Sequence, residues 1–203
     1  MAKHPAIFLD RDGTIIEDRG YLRDPSDVIL YPSSIRALKE LQEYFLLFII
    51  TNQSGISTGN LTHEEVVRIN KSLLSILKNE NVIIYDVFYC PHTKEDNCKC
   101  RKPQPYFILK AAMEYNLDLD NSFILGDHPS DVLCGINAGI TPVYLRSGHG
   151  EKHIGEVPSE VKVCENILAA SSFIIKLKTK RERKQSVTKR GLGENCENRV
   201  GKK

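Results

Sequence analysis

A doubly wound α/β fold built on a parallel sheet is what this 203-residue chain predicts, on three observations. Short apolar runs recur along it: Ala6–Leu9, Leu46–Ile50, Ile83–Tyr89, Phe123–Leu125 and Pro142–Leu145. Each has the length of a strand and is apolar on both faces, the pattern of strands buried in a parallel sheet. Amphipathic stretches separate the runs, and this alternation reads as βαβ units with right-handed crossovers. Finally, acidic and hydroxyl residues stand directly after several runs, at the edge where such sheets bind ligands.

The elements follow in order. Ile35, Leu38 and Leu41 fall at helical spacing after the first run. Thr62-His63-Glu64-Glu65 is a capping-box pattern, and Val66, Ile69, Leu73, Ile76 and Leu77 then share one side of a helix. Residues 107–115 and 131–138 also read as helices, Val161–Val163 as an edge strand and 165–177 as a last helix. These make one domain over residues 1–177. Beyond it the chain is Lys/Arg-rich with almost no aliphatic residues, so 178–203 reads as a basic, largely disordered tail.

Composition excludes several classes. Hydrophobic residues make up 41% and charged residues 27%, as in ordinary globular proteins. Residues 176–203 carry eleven Lys/Arg and three Asp/Glu, a net +8; the whole chain is +2, so residues 1–175 carry −6. An acidic body argues against nucleic acid as the main partner, leaving weak contacts through the tail. The longest aliphatic-aromatic run, Tyr44 to Ile50, is too short to span a bilayer, and no signal-like segment precedes Asp10. The expected compartment is the cytosol, and the expected state a monomer.

Carboxylates carry the chemistry. Asp10 ends the first run and is followed by Asp12-Gly13-Thr14; Thr51 ends the second; Asp127 ends the fourth after Gly126. In a parallel sheet these residues converge on one crevice. Phosphoryl transfer needs a nucleophile, neutralised phosphoryl oxygens and a proton for the leaving oxygen. Asp10 can attack phosphorus once a hard cation such as Mg²⁺, held by Asp10 and Asp127, offsets the repulsion between anions. Asp12 can serve as general acid and base, while Thr51 and Lys102 can stabilise the phosphoryl oxygens. Gly13 lets the loop turn tightly beside the ligand. Read alone, Asp-x-Asp-Gly is also a common turn; the distant Thr51, Lys102 and Asp127 argue against that reading.

A second cluster is Cys90-x-His92-x5-Cys98-x-Cys100. In a reducing compartment this spacing fits a tetrahedral Zn²⁺ site with no open position, hence a structural one. It directly precedes Arg101 and Lys102, so a zinc-stapled loop would hold both cations in place. Cys134 and Cys164 read as small buried residues, and Cys196 receives no role.

Residues 8–14 (Phe-Leu-Asp-Arg-Asp-Gly-Thr), 51–55 (Thr-Asn-Gln-Ser-Gly), 100–103 (Cys-Arg-Lys-Pro) and Gly126-Asp127 with Asp131 resemble the four motifs of the haloacid dehalogenase superfamily. The resemblance covers about residues 5–150. It is nearest to the branch holding heptose bisphosphate and histidinol-phosphate phosphatases. It implies a Rossmann-like domain with no large cap domain. Asp10 would be the nucleophile and Asp12 the acid/base; Mg²⁺ would sit on Asp10, the carbonyl of Asp12 and Asp127, supported by Asp131. Asp18-Arg19-Gly20-Tyr21 is similar to the heptose branch's substrate loop, and Asn52, Gln53 and Ser54 match it as well. Arg11, Arg101 and His128 join these as substrate contacts, Arg101 recognising the sugar phosphate. The expected substrate is a sugar bisphosphate, D-glycero-D-manno-heptose 1,7-bisphosphate, losing its 7-phosphate.

Two features depart from that branch. Only five residues separate His92 from Cys98, as in histidinol-phosphate phosphatases. His128 stands where the heptose branch carries lysine, so an imidazolium there would make activity decline as pH rises through about 6.5 to 7.5. Histidinol phosphate is accordingly the alternative substrate. A polynucleotide 3′-phosphatase is a further alternative, opposed by the acidic body and the absence of Trp for base stacking. A zinc-dependent nucleic-acid-binding module would leave Asp10, Asp12 and Asp127 without purpose.

Overall fold

The computed structural model describes residues 3–181. Six strands, β1 (Ala6–Leu9), β2 (Leu46–Asn52), β3 (Ile84–Cys90), β4 (Phe123–Gly126), β5 (Thr141–Leu145) and β6 (Lys162–Cys164), form one parallel sheet in the order β3-β2-β1-β4-β5-β6. Winding proceeds outward from β1 in one direction, then restarts at β4 in the other. The reversal between β1 and β4 opens a crevice at their carboxyl ends, where no crossover helix covers the edge.

Helices α1 (Ser34–Gln42), α2 (His63–Asn79), α3 (Tyr106–Glu114), α4 (Pro129–Ala138) and the short α5 (Gly150–His153) precede a last described helix, α6, over residues 167–181. Alternation along the strands sends side chains to two faces. Ile7, Leu9, Leu47, Ile49, Phe123 and Leu125 pack with Ala37, Leu38, Ile69, Leu73, Ile167 and Ile174, so α1, α2 and α6 lie on one face. Ala6, Phe8, Phe48, Ile50 and Ile124 pack with Ile108, Ala111, Cys134 and Ala138 of α3 and α4 on the other. The segment between β1 and α1 adds only a 3-10 turn at Pro25–Asp27 and two isolated bridges, Asp12–Ile16 and Ile16–Leu30. No cap domain is inserted there.

Local signals explain several boundaries. The Thr62 hydroxyl accepts from Glu65 N–H at 3.1 Å while the Glu65 carboxylate accepts from Thr62 N–H at 2.7 Å, closing the expected capping box. Asn166 accepts from the N–H groups of Leu168 and Ala169, which starts α6 two residues later than the pattern suggested.

Two expectations need correction. β3 is an edge strand, not one buried on both faces: Tyr85 is 46% exposed, and Ile83, just before the strand, is 62% exposed. Residues 178–181, assigned to the tail, are helical and packed: the Lys178 ammonium lies over the Tyr44 ring and the Arg181 guanidinium over Phe123. Their aromatic partners accept cations readily. The remainder of the expected tail, 182–203, lies outside the described residues.

Candidate active site

Residues arriving from the ends of β1, β2, β4 and β5 and from the loop before α3 line one cavity of about 390 Å³ at the switch point. Asp10, Asp12, Thr51, Lys102 and Asp127 are all on its wall. So are Asp18, Gly20, Tyr21, Asn52, Gln53, Ser54, Arg101 and His128. Arg11 and Arg19 are not among the lining residues; Arg19 instead approaches Asp27 at 3.7 Å on the surface.

At the base stands a buried charge cluster. Lys102 Nζ lies 2.8 Å from Asp10 Oδ1 and 2.6 Å from Asp131 Oδ1, and donates to the Ile50 carbonyl at 3.0 Å. Burial alone would lower the lysine's pKa; the charges of Asp10 and Asp131 outweigh it and hold the ammonium protonated. Burial pushes Asp10 up to about 7, with Lys102 pulling it down and Asp131 adding to the rise. Burial, Asp10 and Asp131 together push Asp127 up to about 8. Carboxyl oxygens of Asp10, Asp127 and Asp131 all lie within 4.8 Å of one another. Three clustered acids with one resident cation form an all-oxygen donor set short of positive charge, which suits a hard divalent ion.

Both Asp131 oxygens already have partners, Lys102 on one side and His128 N–H at 3.2 Å on the other, which leaves it a supporting place behind Asp10 and Asp127. Asp127 Oδ2 accepts from His149 N–H at 2.7 Å. Two glycines make room for that carboxylate. A Cβ on Gly13 would stand 2.1 Å from Asp127 Oδ2, and one on Gly148 2.2 Å; both have positive φ.

Asp12 faces the same cavity. Its Oδ2 accepts from Gln53 Nε2 at 2.9 Å and from the Thr51 hydroxyl at 3.4 Å. Asn52 points elsewhere: its amide bonds the Lys102 N–H and C=O at 3.0 and 3.2 Å, clamping β2 to the loop that carries Lys102.

The Cys/His loop lies beside that clamp. Contacts around its edges run from 3.2 Å (Cys100–Cys90) to 3.6 Å (Cys98–Cys100), with His92 Nδ1 3.4 Å from Cys100 Sγ and 3.5 Å from Cys90 Sγ. A tetrahedral zinc site with Zn–S near 2.3 Å has edges of about 3.5–3.8 Å, so the donors stand in a ligating arrangement. The N–H groups of Cys100 and Arg101 act on the Cys98 sulfur and outweigh its burial, lowering that thiol's pKa. The loop also fixes Arg101, whose Nη1 donates to the His92 carbonyl at 2.9 Å.

The structure gives His128 a task other than the expected cation. It is the N-cap of α4; its Nδ1 accepts from Ser130 N–H at 3.1 Å. Burial also lowers its pKa from the ordinary value. A capping Nδ1 needs a lone pair that protonation would remove, so the cap and the lowered pKa both favour the neutral ring over the expected cation, against the expected decline between pH 6.5 and 7.5.

Three site residues were missed in the sequence. His149 lines the cavity, and its Nε2 meets Asp18 Oδ2 at 2.8 Å, joining the loops after β1 and β5 across the mouth. Ser130 lines it from the first turn of α4. Asn70 supports the site from α2. The fifth strand's carboxyl end pointed to His149, since every ligand-binding loop of this fold leaves such an end.

Comparison with known proteins agrees with this geometry. A family model described as HAD-hydrolase-like matches residues 99–170. The D-glycero-β-D-manno-heptose-1,7-bisphosphate 7-phosphatase of Helicobacter pylori is 40% identical over 142 residues, 69% of this chain and 82% of that protein. The enzyme of the same name from Vibrio cholerae is 33% identical over 187 residues, 88% of this chain and all of that protein. Among solved structures, the D,D-heptose 1,7-bisphosphate phosphatase of B. bronchiseptica, complexed with magnesium and phosphate, superimposes with a TM-score of 0.78 at 28% identity, over 85% of this chain and 98% of that one. With Asp10, Lys102 and the acids Asp127 and Asp131 gathered at one switch point, this chain belongs to the HAD-like phosphatases, in the family of the heptose-1,7-bisphosphate 7-phosphatases.

Proposed function

We propose that this phosphatase removes the 7-phosphate of D-glycero-D-manno-heptose 1,7-bisphosphate. The observation that carries the reading is the Asp10–Lys102–Asp131 cluster at the base of an open cavity, in a chain 40% identical over 142 residues to a phosphatase named for that sugar. Asp10, Asp127 and the Asp12 carbonyl would hold Mg²⁺, which supplies the charge that lets a carboxylate approach a phosphate. An Asp10 oxygen forms a bond to phosphorus while the P–O bond to the sugar breaks, and the Asp12 carboxyl gives its proton to the departing oxygen. The Asp12 carboxylate next takes a proton from water as that water attacks phosphorus. Asp10 leaves as carboxylate, and the products are the heptose 1-phosphate, with a free hydroxyl at C7, and inorganic phosphate. Thr51 and Lys102, both on the cavity wall, would stabilise the phosphoryl oxygens.

With no cap over the site, selectivity falls to the rim. Asp18, Tyr21 and Ser54 offer hydroxyl-binding and stacking groups, and Arg101 a guanidinium for the second phosphate. With His128 Nδ1 engaged in capping α4, Arg101 carries that recognition. A side-by-side kcat/KM measurement on the heptose bisphosphate and on histidinol phosphate tests the reading. The bisphosphate is expected to be the better substrate, and Arg101→Ala to raise KM for it roughly tenfold or more, the loss of one charge-assisted contact of about 1.5–3 kcal/mol. Faster turnover of histidinol phosphate would promote the alternative.

The Cys/His loop holds Zn²⁺ in the same proposal. Elemental analysis of never-chelated protein is expected to find about one zinc per chain. Cys98→Ser should lose the metal and lower kcat/KM by releasing Arg101 from the His92 carbonyl; metal-free protein with full activity would refute the site. No described helix is long and apolar enough to cross a membrane.

A further inference from the structure

Arg11, set among the substrate contacts by its position in the motif, is 1% exposed and turned away from the cavity. A guanidinium so deeply buried must find acceptors for its donors. Its Nε lies 3.1 and 3.2 Å from the two Asp12 oxygens, and its Nη2 2.9 Å from Asp12 Oδ2. Its Nη1 donates to Asn70 Oδ1 at 2.8 Å. Asn70 sits on α2, 7% exposed, on the stripe made by Val66, Ile69, Leu73 and Leu77. A polar residue there interrupts an apolar face and serves no helix cap. Among the described residues its side chain meets Arg11.

We propose that Asn70 and Arg11 are a positioning pair that orients the Asp12 carboxyl for proton transfer, acting from the far side of the catalytic loop. A forked guanidinium grips a carboxylate at a fixed angle, and Asn70 fixes the fork by holding its remaining nitrogen against a helix anchored in the core. Gln53 and Thr51 hold the same carboxylate from the cavity side. Asp12 is thereby gripped between β2 and α2, so its place depends on a residue that touches no substrate. The inference rests on the reading of Asp12 as proton donor.

The test exploits what a proton donor does. Protonation of the leaving oxygen matters for an alkyl phosphate, whose alkoxide leaves poorly, and little for p-nitrophenyl phosphate, whose phenolate leaves unaided. Asn70→Ala is expected to lower kcat/KM, which reports phosphoenzyme formation and not the hydrolysis step common to both esters, about tenfold on a sugar phosphate and by less than about twofold on p-nitrophenyl phosphate. Asn70→Asp, which keeps the acceptor at the same reach, should recover most of the loss. Arg11→Lys keeps the charge without the fork and should reproduce the selective loss, so the proposal stays testable if Asn70→Ala folds poorly. Asp12→Asn is the control. If its loss in kcat/KM is equal on both esters, the reading of Asp12 as proton donor itself fails. If its loss is selective while Asn70→Ala and Arg11→Lys impair both esters equally or neither, the positioning pair is overturned and Asp12 stands.

Discussion

Asp10→Asn is expected to abolish turnover, by roughly 10³-fold or more, while the protein stays folded. An amide cannot form the acyl phosphate, so neither half of the reaction proceeds. The fold should tolerate the change because Lys102 keeps two of its three acceptors, Asp131 and the Ile50 carbonyl. Burial already disfavours a charge at position 10, so a neutral group there costs little. Phosphate release and acid-quench trapping of the phosphoenzyme check the result. Wild-type enzyme should yield an acid-stable, hydroxylamine-sensitive phosphoenzyme and the variant none; near-normal turnover by Asp10→Asn would rule out the covalent route.

Lys102→Met should damage both stability and activity. Removing one partner from a buried ionic cluster leaves its acids uncompensated, a loss on the order of 3–5 kcal/mol. The pH dependence has a definite sign. In the wild type, burial raises Asp10 to about 7 and the Lys102 charge restrains that rise. Without the lysine Asp10 titrates higher than in the wild type, so the remaining activity moves to higher pH. Stability moves oppositely. Acids whose folded pKa is raised keep their protons longer in the folded state than in the unfolded one. Their contribution is therefore fully present below about 4 and is lost as pH rises toward 7 for Asp10 and 8 for Asp127. Lys102→Met should steepen that loss. Melting temperatures in metal-free buffer at pH 5 and 8, beside kcat/KM against pH, test both arms. An unmoved activity profile together with an unchanged melting temperature would remove Lys102 from its assigned place.

Sequence by itself determined the sheet, the order of elements and the chemistry of the crevice. Apolar runs at Ala6, Leu46 and Phe123 need burial on both faces, and only a sheet flanked by helices on each side provides it. Asp10, Thr51 and Asp127 follow those runs directly, so the fold class alone gathers them at one edge. The Cys90–Cys100 spacing and the Thr62 capping box are equally local, because their partners lie within one loop or one turn. Tertiary structure decided whatever depends on a side chain's direction across a long separation. Whether Arg11 faces substrate or Asn70, 59 positions away, depends on how α2 is rotated against the catalytic loop. Whether His128 is a cation or a helix cap depends on where its Nδ1 meets the first turn of α4. Position in a motif brings a residue to the crevice, but the competition among buried donors and acceptors for partners decides which way it turns.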